Sequence, residues 1–186
     1  QVEGVAFLAS TGRALLADDM GLGKTVQALA AARWLMDHAG VSRVLVVCPA
    51  SLKHQWARES KRFLGIDATV ANGPPRRRLP LYQRQDPITI VGYEQVLRDG
   101  PVLQTELQPD LLILDEAQRI KNWRTRTAHA IKALQTRFVF ALSGTPLENK
   151  LQDLYSVVEV IDRQLLGPLW QFGPHFEMTE HNGRVV

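Results

Sequence analysis

Short apolar runs alternate along this chain with longer segments of helical pattern. The runs are Ala14–Ala17, Val44–Cys48, Ala68–Ala71, Ile88–Val91, Leu111–Leu114 and Phe138–Leu142. Several are continuously apolar rather than alternating, as strands buried on both faces of a parallel sheet are. Between them, Thr25–His38 sets Ala28, Leu29, Ala32, Leu35 and Met36 on one helical face. A second helix is predicted over Ser51–Leu64, after Pro49 and with Ser51 as its N-cap. Further helices are predicted near Thr125–Leu134 and Leu151–Ile161. Strands and helices in alternation predict a doubly wound α/β domain, with ligands at the carboxyl ends of the strands. After Leu166 the pattern fades into Gly, Pro, His and aromatic residues, which predicts a connecting segment over 167–186.

The 186 residues suit a single domain with a sizeable core. Hydrophobic residues at 45% and charged residues at 22% exclude disorder, and the short apolar runs exclude a membrane-spanning helix. The single cysteine, Cys48, cannot form an internal disulfide, which predicts a reducing, cytoplasmic setting. The chain opens at Gln1 with neither methionine nor signal peptide, so it reads as a piece of something longer.

The net charge of +3 hides an asymmetry. Residues 1–147 carry 19 Lys/Arg against 13 Asp/Glu (+6), and residues 148–186 carry 3 against 6 (−3). Ala117–Arg137 holds Arg119, Lys121, Arg124, Arg126, Lys132 and Arg137 with no acid. Arg76-Arg77-Arg78, between Pro74-Pro75 and Pro80, reads as an exposed loop, with a solvated face as the first reading and a contact with DNA as the alternative.

The first run leads into Asp18-Asp19-Met20-Gly21-Leu22-Gly23-Lys24-Thr25, and a helix follows. Phosphate binding needs backbone N–H groups turned inward, which glycine permits, and a helix N-terminus adds partial positive charge. Lys24 is placed to reach β and γ phosphates, and the Thr25 hydroxyl to coordinate Mg²⁺. Asp18 stands where the general phosphate loop has glycine. Leu111–Leu114 ends in Asp115-Glu116-Ala117-Gln118. A carboxylate ending a buried strand can hold Mg²⁺, which is assigned to Asp115, while its neighbour Glu116 orients the attacking water. Phe138–Leu142 ends in Ser143-Gly144-Thr145-Pro146, whose hydroxyls can bond those carboxylates and report the nucleotide state. The histidines show no metal-ligand spacing with each other or with Cys48.

These three strings, in this order, resemble the Swi/Snf-like ATPases of helicase superfamily two. Further matches are Val46-Val47-Cys48-Pro49-Ala50-Ser51-Leu52 with Gln55-Trp56, Gly92-Tyr93-Glu94, and Arg119-Ile120-Lys121-Asn122. The ending Ser-Gly-Thr-Pro-Leu-Glu-Asn over 143–149 differs from RNA helicases of the DEAD-box type, which usually read Ser-Ala-Thr there. The resemblance implies a RecA-like P-loop NTPase fold over residues 1–166, corresponding to the first of two lobes. It also implies ATP with Mg²⁺, double-stranded DNA, and a second lobe that residues 167–186 begin to approach. By motif, Asp19, Met20, Gly21, Leu22, Gly23, Lys24 and Thr25 hold nucleotide, and Glu116 with Lys24 is catalytic. Ser143, Gly144 and Thr145 form the coupling string, and Gln1 resembles the glutamine that reads adenine. Gln118 stands where relatives have His or another residue. Being unable to ionise, it acts by hydrogen bonding to phosphate or to the third string. Short loops and Gln118 resemble bacterial members, which implies a nucleoid-associated protein.

Cations and donors spaced along a phosphate backbone bind nucleic acid without sequence preference. The candidates are Ser51, Lys53 and Gln55, and Lys121, Asn122, Arg124 and Arg126. Trp56 and Trp123 interleave with them, but duplex tracking gains little from stacking, so packing is expected of both. The leading expectation is a duplex-DNA translocase or remodeller that need not separate strands. Its lone first lobe lacks the arginines that speed phosphoryl transfer by roughly 10³–10⁵, so the fragment alone should be nearly inactive. The alternative is an ATPase docked on RNA polymerase or another machine, with DNA contact secondary.

Overall fold

The computed structural model describes residues 1–18, 21–144, 151–162 and 165–166. Asp19, Met20, Thr145 and the expected connecting segment 167–186 lie outside them. Among the described residues, six parallel strands form one sheet: β1 (Arg13–Ala17), β2 (Val44–Cys48), β3 (Thr69–Val70), β4 (Ile88–Gly92), β5 (Leu111–Leu114) and β6 (Phe138–Ser143). Their order is β1-β6-β5-β2-β4-β3. Every strand predicted from an apolar run is present.

The runs are continuous because both faces are covered. Leu45, Val47, Leu112, Leu114, Val139 and Ala141 enter one buried cluster, while Val44, Val46, Leu111, Ile113, Phe140 and Leu142 enter the other. Alternate side chains of a strand point to opposite faces, so the central strands of a sheet layered on both sides are apolar at nearly every position, buried Thr89 of β4 being an exception. Helices α1 (Val2–Thr11), α2 (Lys24–His38) and α3 (Lys53–Leu64) cover the second cluster. Helices α4 (Pro75–Gln83), α5 (Tyr93–Val102), α6 (Arg126–Ala133) and α7 (Leu151–Ile161) lie with the first. This is the mostly parallel, doubly layered RecA-like arrangement expected. Among the described residues no helix is long and apolar enough to cross a membrane.

Two local expectations need correction. Ser51 caps nothing: Pro49 opens a 3₁₀ turn over Ala50–Leu52, in which the Leu52 N–H reaches Pro49 O at 2.9 Å, and α3 starts at Lys53. Arg76-Arg77-Arg78 is helix, not loop. Pro75 takes the first helical position, where its missing N–H costs nothing, and buried Arg78 is held by Asp99. Helices α1 and α5 add to the predicted set; α1 fully buries only Leu8 and ends at Gly12 in the left-handed conformation.

Candidate nucleotide site

The carboxyl ends of β1, β5 and β6 meet at a cleft of about 360 Å³. Gly21, Gly23, Lys24 and Thr25 line one side, and Asp115, Glu116 and Gly144 another. Gly21 (φ 87°) and Gly23 (φ 73°) take the left-handed backbone that turns a loop's N–H groups inward. The amide of Asp18 reaches the carbonyl of Ser143 at 3.3 Å, tying this loop to the end of β6. Lys24 folds its ammonium back onto Asp18 O at 2.8 Å, and Gln1 Nε2 approaches Leu22 O at 3.3 Å. Gln27, which no motif marks, is buried and donates to the same carbonyl at 3.0 Å. Gly4 makes room for it, since a Cβ there would stand 1.8 Å from Gln27 Oε1.

Asp115 is 9% exposed at the end of β5. Its Oδ1 accepts the Glu116 N–H at 3.0 Å and its Oδ2 accepts the Trp56 indole N–H at 2.8 Å. Burial pushes its carboxyl above the usual carboxylate range, opposed by the Trp56 bond and by Lys24 and reinforced by the Glu116 charge. Glu116 takes left-handed φ 54°, ψ 52°, a conformation that costs a side-chain-bearing residue about 1–2 kcal/mol. Tyr93 holds the preceding peptide by donating its hydroxyl to Asp115 O at 2.7 Å. The strain therefore sits at the carboxylate that the cleft presents, as functional sites often arrange.

Gln118 joins the second and third strings. Its Nε2 donates to Glu116 Oε2, and its Oε1 accepts from Ser143 Oγ at 3.0 Å. A neutral amide thus bridges a carboxylate and a hydroxyl, donating to one and accepting from the other. The donor set around the cleft, a threonine hydroxyl and a carboxylate, is all hard oxygen and fits a magnesium ion that retains waters.

Ser51, Gln55, Lys121, Asn122, Arg124 and Arg126 are all exposed. They follow the ends of β2 and β5, which are sheet neighbours, so the two segments share one edge of the domain. Asn122 Oδ1 accepts the Arg124 N–H at 3.0 Å and so shapes the turn into α6, and Arg124 lies 5.1 Å over the Trp123 ring. Lys53 departs from expectation. It is 7% exposed, and its ammonium donates to Ala71 O, Asn72 Oδ1 and Gln95 Oε1 at 2.9, 2.6 and 3.3 Å. It staples the ends of β2, β3 and β4 together, which removes it from the set offered to nucleic acid. Trp56 is buried, as expected of a packing residue, but its bond to Asp115 has no signal in the sequence.

A model of the SNF2-related domain matches residues 1–184. The chain is 39% identical over 167 residues to an uncharacterized ATP-dependent helicase of Mycoplasma pneumoniae, covering 88% of this chain and 16% of that protein. It is 34% identical over 192 residues to the human DNA excision repair protein ERCC-6-like, covering 95% and 15% respectively. Among solved structures, the Sulfolobus solfataricus SWI2/SNF2 ATPase core in complex with double-stranded DNA superposes with a TM-score of 0.88 at 30% identity, over 99% of this chain and 39% of that one. The chain thus spans about a sixth of the length of these curated relatives.

Proposed function

This chain belongs to the SNF2-related family of helicase-like ATPases, and from that premise we propose that it is the ATP-binding first lobe of a double-stranded-DNA translocase. Nucleotide binding follows from the family; the assignment of roles to residues is our reading. The backbone of Gly21–Thr25 and the Lys24 ammonium cradle the phosphates. Thr25 and Asp115 would hold Mg²⁺, which neutralises charge on the phosphate oxygens when bound. Glu116 orients and polarises the attacking water, and Gln118 keeps its carboxylate aimed. Gln1, whose Nε2 reaches Leu22 O, is assigned to adenine by motif alone. Ser143, through Gln118, links the Glu116 carboxylate to the end of β6, and Gly144 lines the cleft; Thr145 and the loop residues Asp19 and Met20 are assigned by motif alone.

The observation that carries the reading is the convergence of Lys24, Thr25, Asp115 and Glu116 on one cleft. The Sulfolobus relative is bound to double-stranded DNA, which supports duplex DNA as the partner. Here it would meet Ser51, Gln55, Lys121, Asn122, Arg124 and Arg126. A second lobe would add cations to the phosphates, so these 186 residues by themselves should turn over ATP very slowly. The test is DNA-stimulated ATPase of the full chain carrying this lobe, wild type against Glu116→Gln. Turnover should fall by at least about 10²-fold, the range of a lost general base, with ATP binding kept. Turnover within about twofold of wild type would refute the proposal.

A further inference from the structure

Asp115 and Trp56 come from different elements, 59 residues apart, yet meet at 2.8 Å in a buried contact. The indole is 1% exposed and the carboxylate 9%. A buried indole N–H needs an acceptor, and a backbone carbonyl would satisfy it as well as any. This one is spent on the carboxylate that lines the nucleotide cleft. The other carboxylate oxygen is already engaged by the Glu116 N–H at 3.0 Å. With one donor on each oxygen, the carboxylate cannot rotate about its Cβ–Cγ bond without breaking a charge-assisted hydrogen bond. Each oxygen keeps lone-pair capacity for a further partner on the cleft side.

Trp56 sits on α3 next to exposed Gln55, and α3 is anchored at its start by Lys53. One helix therefore presents polar side chains outward and an indole donor inward.

We infer that Trp56 is a positioning residue for the metal-binding carboxylate: its indole N–H sets the rotation of Asp115 and ties that carboxylate to α3. The inference rests on the proposed role of Asp115. Outer-shell partners that orient a metal ligand typically account for about 10–100-fold in metal affinity.

The test titrates Mg²⁺ against a fluorescent ADP bound to the full chain, for wild type, Trp56→Phe and Asp115→Asn, with thermal melts confirming folding. Trp56→Phe keeps an aromatic ring and deletes the donor. It should raise the Mg²⁺ concentration at which nucleotide binding tightens by about tenfold, leaving ADP affinity in EDTA unchanged. A midpoint within about twofold of wild type overturns the inference. If Asp115→Asn abolishes the magnesium effect while Trp56→Phe does not, only the inference falls. If Asp115→Asn leaves the effect intact, the metal assignment falls too. A second measurement is made on the unaltered protein. The indole ¹⁵N–H resonance of Trp56, identified by its loss from the spectrum of Trp56→Phe, should shift when Mg²⁺ is added to the ADP complex. An unmoved resonance overturns the inference as well.

Discussion

Removing the Asp99 carboxylate should destabilise the lobe more than any other single ion-pair change among the described residues. Arg78 and Asp99 are 3% and 6% exposed at their side chains, and they meet at 2.6 and 2.7 Å through two parallel N–H···O bonds. The Tyr82 hydroxyl adds a third donor at 2.7 Å. Asp99→Ala would leave a guanidinium and a phenol buried, with Gly73 O as the remaining acceptor for Arg78. Breaking a buried pair from one side costs about 3–5 kcal/mol. At about 2–4 °C per kcal/mol for a domain of this size, the melting temperature should fall by roughly 6–20 °C. Urea unfolding should show the midpoint falling with an unchanged slope. Burial raises the Asp99 carboxyl, but the bonds from Arg78 and Tyr82 outweigh it and hold the group below its ordinary value. A depressed folded value means the stabilisation is full above the unfolded value of about 3.9 and is lost as pH falls through the folded one. The gap between wild type and Asp99→Ala should therefore be constant near neutrality and close below about pH 4. A variant within about 1 kcal/mol of wild type at about pH 7 would refute the claim that this network holds α4 down.

Other expectations concern the cleft and the proposed nucleic-acid edge. Gln118→Glu sets a second carboxylate against Glu116, and Ser143→Ala cuts the link to β6. Both should lower DNA-stimulated turnover about tenfold with nucleotide affinity nearly kept, and equal losses in affinity would count against the bridge. Lys53→Met should lower stability yet leave the salt dependence of DNA binding alone. The triple change Lys121→Ala, Arg124→Ala, Arg126→Ala should instead flatten the log–log salt slope by up to about 2.7, at about 0.9 for each phosphate no longer neutralised. Reversed outcomes would return Lys53 to the DNA face. Burial, helped by the Asp115 charge, pushes the Cys48 thiol up to about 12. It should resist alkylation at about pH 8 in the native state and react on unfolding; rapid native labelling would contradict that burial.

What could be read from the sequence divides along a physical line. The strands were legible because a sheet covered on both faces writes its burial into consecutive residues, as Val44–Cys48 does. The residues that line the cleft could be singled out because phosphate chemistry, the role proposed for them, demands glycines, a lysine and carboxylates at loop positions in a set order along the chain. Helix α4 was not legible, since its Arg-rich, Pro-bounded sequence carries loop character by itself. Asp99, 21 residues beyond Arg78, is the partner that lets this arginine be buried on the helix. Lys53 was misread for the same reason. A lysine among polar neighbours reads as surface until Ala71, Asn72 and Gln95 are brought to its ammonium from beyond the ends of β3 and β4. The Trp56–Asp115 bond is the sharpest case, because each residue satisfied a local reading, one as packing and the other as a metal ligand. Only the adjacency of β2 and β5 lets the helix that follows the first place its indole on the residue that ends the second. Local pattern thus locates the chemical groups, while tertiary pairing decides which of them face the ligand and which hold the others in place.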